Sequence, residues 1–308
     1  MNPKSHALAR ARESLDGLSV GDALGQVYSH RFEVVRERLT EGILPPKPWW
    51  YTDDTALAIA IYRNLDEHGV IDQDALALTM AEEFNKDPGR GYGKMARIIL
   101  QHIYAGRPWR EVSQQAFSGG SMGNGAAMRV APLGAFFADA PEAVAPMARA
   151  SAEITHSHPE GIAGAVAVAL AAATACSSRG LGVEVTRSRM VETILAGTPD
   201  GQTREVIVEA LRHPWDAPPA EVAARVGNGS LVISSDTVPF CVWNACRCIR
   251  DYREAIISTV EVGGDCDTNC AIVGGIVAAH TGTAGIPPEW LQSREPLGLD
   301  PELRETPR

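Results

Sequence analysis

Apolar positions recur at helical spacing along most of the 308-residue chain, and alternating runs of β-branched residues are scarce. Alanine and leucine, both good helix formers, fill many of those positions. The pattern predicts helices over 7–24, 52–65, 74–84, 94–104, 161–176, 238–248, 252–262 and 269–280. The last of these shows its period in the pairs Ile272/Val273 and Ile276/Val277. Prolines 45, 46 and 48 with Trp49-Trp50 mark a loop, and 89–93 marks a turn. The run 118–125, SGGSMGNG, carries too much glycine for a stable helix and must be a shaped loop. Residues 196–220 are rich in turn formers and read as surface, and a polar, proline-punctuated tail follows Pro287. With no repeat, low-complexity segment or clear linker, the chain reads as one all-α domain over 1–308, with its core in about 8–285.

Composition narrows the function. Hydrophobic residues make up 45% of the chain, enough to bury a large core, and the 21% of charged residues are spread along it, which is globular and not disordered usage. A formal net charge of -10 repels a phosphate backbone and argues against general nucleic-acid binding. An anionic ligand can still bind where cations or backbone amides supply local positive potential. The most apolar run, Ile162 to Cys176, is shorter than the ~20 residues that span a bilayer, so a buried helix is predicted and no membrane association. Six cysteines include no C-x-x-C pair, and the N-terminus has no uninterrupted apolar stretch of signal-peptide type. Reduced, buried thiols in a cytoplasmic monomer are the expectation.

Two acidic segments carry the candidate chemistry: Thr52-Asp53-Asp54-Thr55 and Gly264-Asp265-Cys266-Asp267-Thr268. Each immediately precedes an apolar helix, so each could simply cap free N–H groups. A cap needs one oxygen acceptor, however, and each segment has two aspartates with a flanking threonine. Four carboxylates brought together would repel unless protonated or bridged by cations. Oxygen-only donors suit Mg²⁺, Mn²⁺ or Ca²⁺, and the spacing does not match a twelve-residue EF-hand loop.

The glycine-rich stretch Gly119 to Gly125 could let backbone amides approach an anion. It lacks the Gly-Lys-Ser/Thr ending of a P-loop, and a tight interhelical turn is the plainer alternative. His156 and His158, in Thr155-His156-Ser157-His158-Pro159, form an H-x-H pair that could bind zinc. They could equally supply one polar contact and one helix-start residue. Arg129 could pair with a phosphate or with a buried carboxylate.

The ordered series Gly21-Asp22-Ala23-Leu24-Gly25, Thr52-Asp53-Asp54-Thr55, Gly123-Asn124-Gly125-Ala126-Ala127-Met128-Arg129, Thr155-His156-Ser157-His158-Pro159, Asp236-Thr237-Val238-Pro239 and Gly264-Asp265-Cys266-Asp267-Thr268-Asn269 resembles the ADP-ribosylglycohydrolase family, which includes the dinitrogenase reductase-activating glycohydrolases. The resemblance spans about residues 8–285. It implies a compact orthogonal multi-helix bundle with two Mg²⁺ or Mn²⁺ ions in a central cleft. Thr52, Asp53, Asp54, Asp265, Asp267 and Thr268 are the implied metal ligands. Gly120, Ser121, Met122, Gly123 and Asn124 would hold the diphosphate and distal ribose, His156 would line the same pocket, and Gly227 and Gly229 would lie near the adenosine. The implied substrate is ADP-ribose on a protein or other acceptor. Many family members carry a glutamate where this chain has Ser29, and the nearest glutamate is Glu33.

The reaction that follows is hydrolysis of a glycosidic bond, with water activated by metal ions and by Asp53 or Asp54, and with Glu33 a candidate to assist the leaving group. The competing readings are a sensor that binds ADP-ribose without cutting it and a zinc amidohydrolase-like enzyme using His156 and His158. The latter predicts β-strands before the H-x-H pair.

Overall fold

The computed structural model describes residues 3–115, 117 and 119–299. In chain order its helices are α1 (Pro3–Tyr28), α2 (Val35–Thr40), α3 (Asp53–His68), α4 (Gln73–Lys86), α5 (Lys94–Tyr104), α6 (Trp109–Gln115), α7 (Ala131–Phe136), α8 (Pro141–Glu153), α9 (Pro159–Ser177), α10 (Val183–Gly197), α11 (Gln202–Ala210), α12 (Pro219–Val226), α13 (Ser234–Arg247), α14 (Tyr252–Glu261), α15 (Cys266–Thr281) and α16 (Pro288–Leu291). Among the described residues there is no strand, only the isolated bridges Trp49–Arg294 and Gly123–Ile233. The all-α expectation holds. Every helix predicted from periodicity is present, and α10 to α12 add short helices around and within the surface stretch 196–220.

The centre of the fold is built from small residues. On α9 every residue from Gly161 to Cys176 is buried. By length and composition this helix could cross a membrane, yet 89% of its apolar window lies inside the protein, as expected of a core helix. The closest packing joins α1 to α15. Gly17, Gly21 and Gly25 repeat every four residues along one face of α1. A Cβ at these positions would come within 2.5, 2.1 and 2.4 Å of the carbonyl oxygens of Gly274, Cys270 and Cys266. Only glycine leaves room for that approach. Contacts rise along one helix as they fall along the other, so the pair is antiparallel with backbone against backbone. Tyr252 Oη donates to Gly17 O at 2.5 Å and Ser14 Oγ to Gly275 O at 2.8 Å, which satisfies polar groups inside this contact. The C-terminal half of α1 therefore lies beside the first turn of α15.

The segment after Pro287, polar in composition, is packed as far as it is described. Trp290, Leu297 and Leu299 are buried. Trp49 N donates to Ser293 O at 2.7 Å and Glu295 N to Trp49 O at 3.0 Å. Glu295 Oε1 accepts from Tyr51 N at 3.0 Å and from Arg90 Nη1 at 2.6 Å, and the Arg90 guanidinium lies 3.9 Å from the Tyr51 ring centroid. The segment thus straps the chain that leads into α3. The rest of the predicted tail, 300–308, and Ser118 of the glycine stretch lie outside the described residues.

A methyl group on Gly21 would collide with the backbone of α15, which cannot swing aside as a side chain can. Gly21→Ala is expected to cost about 3 kcal/mol or more, read as a drop in the urea unfolding midpoint. A midpoint unchanged from wild type would show that the two backbones do not touch.

Candidate active site

Helix α3 starts in an unusual way. Its N-cap residue, Thr52, makes no side-chain cap bond. The cap comes from another helix: the Asp22 carboxylate on α1 accepts from Thr52 N (3.1 and 3.0 Å), Thr55 N (3.1 Å) and Thr55 Oγ1 (2.5 Å). Asp22 takes the Thr52 and Thr55 amides and Arg90 O takes the Asp53 amide at 2.8 Å, so the Asp53 and Asp54 side chains do not serve as the cap. Thr52 Oγ1 lies 2.8 Å from both Asp22 Oδ1 and Asp54 Oδ2. One hydroxyl hydrogen cannot serve two ionised carboxylates, so this pair retains a proton or needs a cation. Asp54 Oδ1 is buried with no hydrogen-bond partner among the described residues.

The start of α15 follows the same logic. Asp265 occupies the N-cap without a cap bond; its Oδ2 accepts from Asn124 Nδ2 at 2.7 Å. Asn124 also reaches Thr237 Oγ1 at 3.0 Å, and its backbone N donates to Val232 O at 3.3 Å. The glycine loop is thereby tied to the acidic helix start. Asp267 Oδ1 does accept from Thr268 N in the first turn of α15 at 3.0 Å, but capping does not account for Asp53, Asp54 or Asp265, whose carboxylates are left to face a common space.

That space is a cavity of about 700 Å³ whose lining includes Asp53, Asp54, Asp265, Asp267 and Thr268, the loop Gly120 to Gly125, Arg129, Thr155 and His156. Burial is the main cause that raises the carboxyl pKa values, with mutual repulsion adding to it. Asp22 is pushed up to about 7, Asp265 to about 7 and Asp53 to about 8, and Asp54 well above the ordinary carboxylate range. The H-x-H pair divides: His156 lines the cavity, whereas His158 Nδ1 caps α9 by accepting from Glu160 N at 3.1 Å. Together with the absence of strands among the described residues, this removes the zinc amidohydrolase reading.

Gly120 lines the cavity and backs onto Ser157 and His158, where a Cβ would meet Ser157 Oγ at 2.4 Å. Gly227 and Gly229 do not line the cavity. They pack against Asp236 and against Asp265 and Asn269, respectively, while Val232 and Ile233 of the same loop reach the cavity wall. Glu33 is exposed on a short turn and is absent from the lining, and Ser29 Oγ is spent on Gln26 O at 2.9 Å. Glu33 is therefore not placed to assist the leaving group. Sequence reasoning passed over Asp22 as a site residue, although four-residue glycine spacing on both its flanks signals a close helix contact.

A family model described as ADP-ribosylglycohydrolase matches residues 3–306. The chain belongs to the ADP-ribosylglycohydrolase family. Family membership makes it a glycohydrolase by class. It is 28% identical to ADP-ribosylhydrolase ARH3 of Gallus gallus, over 93% of this chain and 89% of that protein. It is also 28% identical to the ADP-ribosyl-[dinitrogen reductase] glycohydrolase of Rhodospirillum rubrum, over 96% and 93%. Among solved structures, one titled ADP-ribosylglycohydrolase-related protein complex superposes with a TM-score of 0.67 at 25% identity, covering 94% of each chain.

The site of this family member suits a divalent cation by its donors. The unpartnered Asp54 oxygen and the carboxylates unused as caps are hard oxygen ligands in search of positive charge. Among the described residues, no three His, Cys, Asp or Glu side chains already form a closed ligating group, so the threonine oxygens and small side-chain adjustments belong to the fit.

Raised carboxyl pKa values set the sign of a stability effect. Between about pH 4 and pH 8 the folded state holds protons that the unfolded chain has released, so stability falls as pH rises through that window. In EDTA, the melting temperature is expected to fall from pH 5 to pH 8.5 and to recover with Mn²⁺, and Asp54→Asn should flatten the fall. A wild-type melting temperature that rises over the same window would contradict the clustering.

Proposed function

We propose that the protein hydrolyses the glycosidic bond between ADP-ribose and an acceptor, using two divalent cations, Mg²⁺ or Mn²⁺, in the central cleft. The observation that carries this reading is the convergence on one cavity, beneath a glycine loop, of two aspartate-bearing helix starts whose Asp53, Asp54 and Asp265 carboxylates make no cap bond. The residues that would hold the cations are Thr52, Asp53, Asp54, Asp265, Asp267 and Thr268. Bound there, divalent cations supply electrophilic activation of water and orientation of ribose hydroxyls.

The chain's own groups account for the rest. The glycine loop borders the cavity closely enough for a ligand oxygen to approach main chain, and Met122 and Phe117 give the rim apolar surface for a base. Asp53, with its raised proton affinity, takes a proton from the attacking water. The new C–O bond forms at the anomeric carbon as the bond to the acceptor breaks, and the departing atom receives a proton. The carboxylates stabilise the oxocarbenium character that develops on the ribose. With Glu33 outside the cavity and Ser29 at the usual glutamate position, the cavity lining contains no glutamate. Serine-linked ADP-ribose is accordingly the acceptor class expected to be cut least.

The test is release of free ADP-ribose from arginine- and serine-linked conjugates in Mg²⁺ or Mn²⁺. Wild type should turn over, faster on the arginine linkage. Asp265→Ala and Asp267→Ala should each abolish turnover and weaken Mn²⁺ binding measured separately by calorimetry. Full activity in either variant would remove the ligand assignment. Tight binding of ADP-ribose by wild type with no release would make the protein a sensor.

A further inference from the structure

Arg129 is a buried cation that feels the charge of Asp53 but makes no ion pair with a carboxylate among the described residues. Its side chain is fully buried, and its Nε has no partner among them. Of the partners that the sequence suggested, a buried carboxylate is not what it hydrogen-bonds to among the described residues. Its Nη2 instead donates to Ser151 O at 3.1 Å and to Thr155 Oγ1 at 2.9 Å. The same Thr155 oxygen lies 2.8 Å from His156 Nδ1.

We propose that Arg129 and Thr155 form a relay that fixes His156 in its Nε2–H tautomer and aims that hydrogen at the ligand cavity. A guanidinium can only donate, so Thr155 Oγ1 must accept from Arg129. The single hydroxyl hydrogen of Thr155 is then free for His156 Nδ1, which accepts it. The opposite arrangement, Nδ1–H donating to Thr155, would leave a buried hydroxyl hydrogen with no acceptor and would turn a ring hydrogen toward the cationic end of the relay.

His156 Nε2 has no partner among the described residues, and the ring lines the cavity. The ring edge seats against the glycine loop: a Cβ on Gly125 would come 2.9 Å from Nε2, and one on Gly123 would come 3.2 Å from it. Side chains at either position would push the ring off the loop. Burial and the neighbouring Arg129 also hold the imidazole neutral, with its pKa lowered to about 3, so the ring offers one hydrogen and no charge.

This inference rests on the proposed function in one respect: the oxygen that accepts the Nε2–H bond is a phosphate or ribose oxygen of ADP-ribose. A lone pair at Nε2 would repel such an oxygen, and the wrong tautomer would convert an attraction into a repulsion. Arg129 and Thr155 also border the cavity, but in the relay they are positioning residues that act through His156.

The experiment is heteronuclear NMR on ¹⁵N-histidine-labelled protein, with the His156 signals assigned by their loss in His156→Gln. Wild type should show the proton on Nε2 across pH 5 to 8 without ADP-ribose. Thr155→Val, which removes the hydroxyl but keeps the shape, should abolish that preference and weaken ADP-ribose binding about tenfold, the loss of one bond to a charged group. Thr155→Ser should restore both. A proton on Nδ1 in wild type, or an unchanged tautomer in Thr155→Val, would overturn the relay. Wild type with the Nε2–H tautomer but no affinity for ADP-ribose would leave the relay standing and sink the cavity's assigned ligand instead.

Discussion

The backbone contact between α1 and α15 is the constraint on which the site depends. Helices that meet through ordinary side chains stand 8–10 Å apart; the glycines at 17, 21 and 25 bring these two closer than that. The closeness does more than fill the core. It sets Asp22 beside the first turn of α15, where it feels the charge of Asp267, and leaves Asp22 within reach of the first turn of α3. One carboxylate on one helix thus fixes the start of a second helix against the start of a third. Had α1 carried alanine or leucine on that face, the separation would grow and the three starts would no longer share a space.

Gathering these acids opposes stability. Each buried carboxyl loses hydration, and each neighbour makes ionisation harder. The fold offsets part of that cost locally. Asp22 receives four hydrogen bonds from Thr52 and Thr55 in addition to its share of the Thr52 hydroxyl region, and Asp265 takes one from Asn124. Asp54 is left with an orphan oxygen. A group that is dispensable as a cap, buried and incompletely bonded is maintained against a folding penalty, which is the pattern expected of a functional site and not of a structural one.

Much of the fold was legible because its helices are strongly periodic: 94–104 matches α5 residue for residue, and 252–262 differs from α14 by one. Most segments that periodicity left unassigned are short or wrapped around prolines, the 15-residue α10 excepted. Pro146 sits inside α8, where local rules favour a break and tertiary packing prevails, whereas α13 begins four residues before the predicted 238 and carries Pro239 in its second turn. The acidic segments were legible as a pair because helix starts with two spare aspartates are uncommon. Asp22 was not, since a lone aspartate inside a helix carries no local signature of a cap supplied in trans. Glu33 misled for the converse reason: proximity in sequence to a motif does not turn a side chain into the cavity. The segment after Pro287 looked peripheral because its buried residues are separated by polar ones, yet Glu295 braces Arg90 and Tyr51 next to the α3 start.

An acidic protein with a cavity floored by aspartates is a poor host for a diphosphate unless the charge is inverted locally. On the proposed reading, that inversion makes cation and ligand binding interdependent. Carboxylates that hold protons at neutral pH must release them when cations bind, and only then does the floor cease to repel phosphate. Arg129, a positive charge in a wall that also carries the exposed Lys94 at the cavity edge, cannot do this work alone, because it is fully buried and its hydrogen bonds go to Ser151 and Thr155. Its field reaches the cavity through a neutral histidine, which adds an oriented donor without adding charge. The site thus divides its tasks by distance: bound cations would neutralise the floor, and the relay from Arg129 would select the geometry of the oxygen that settles against the glycine loop.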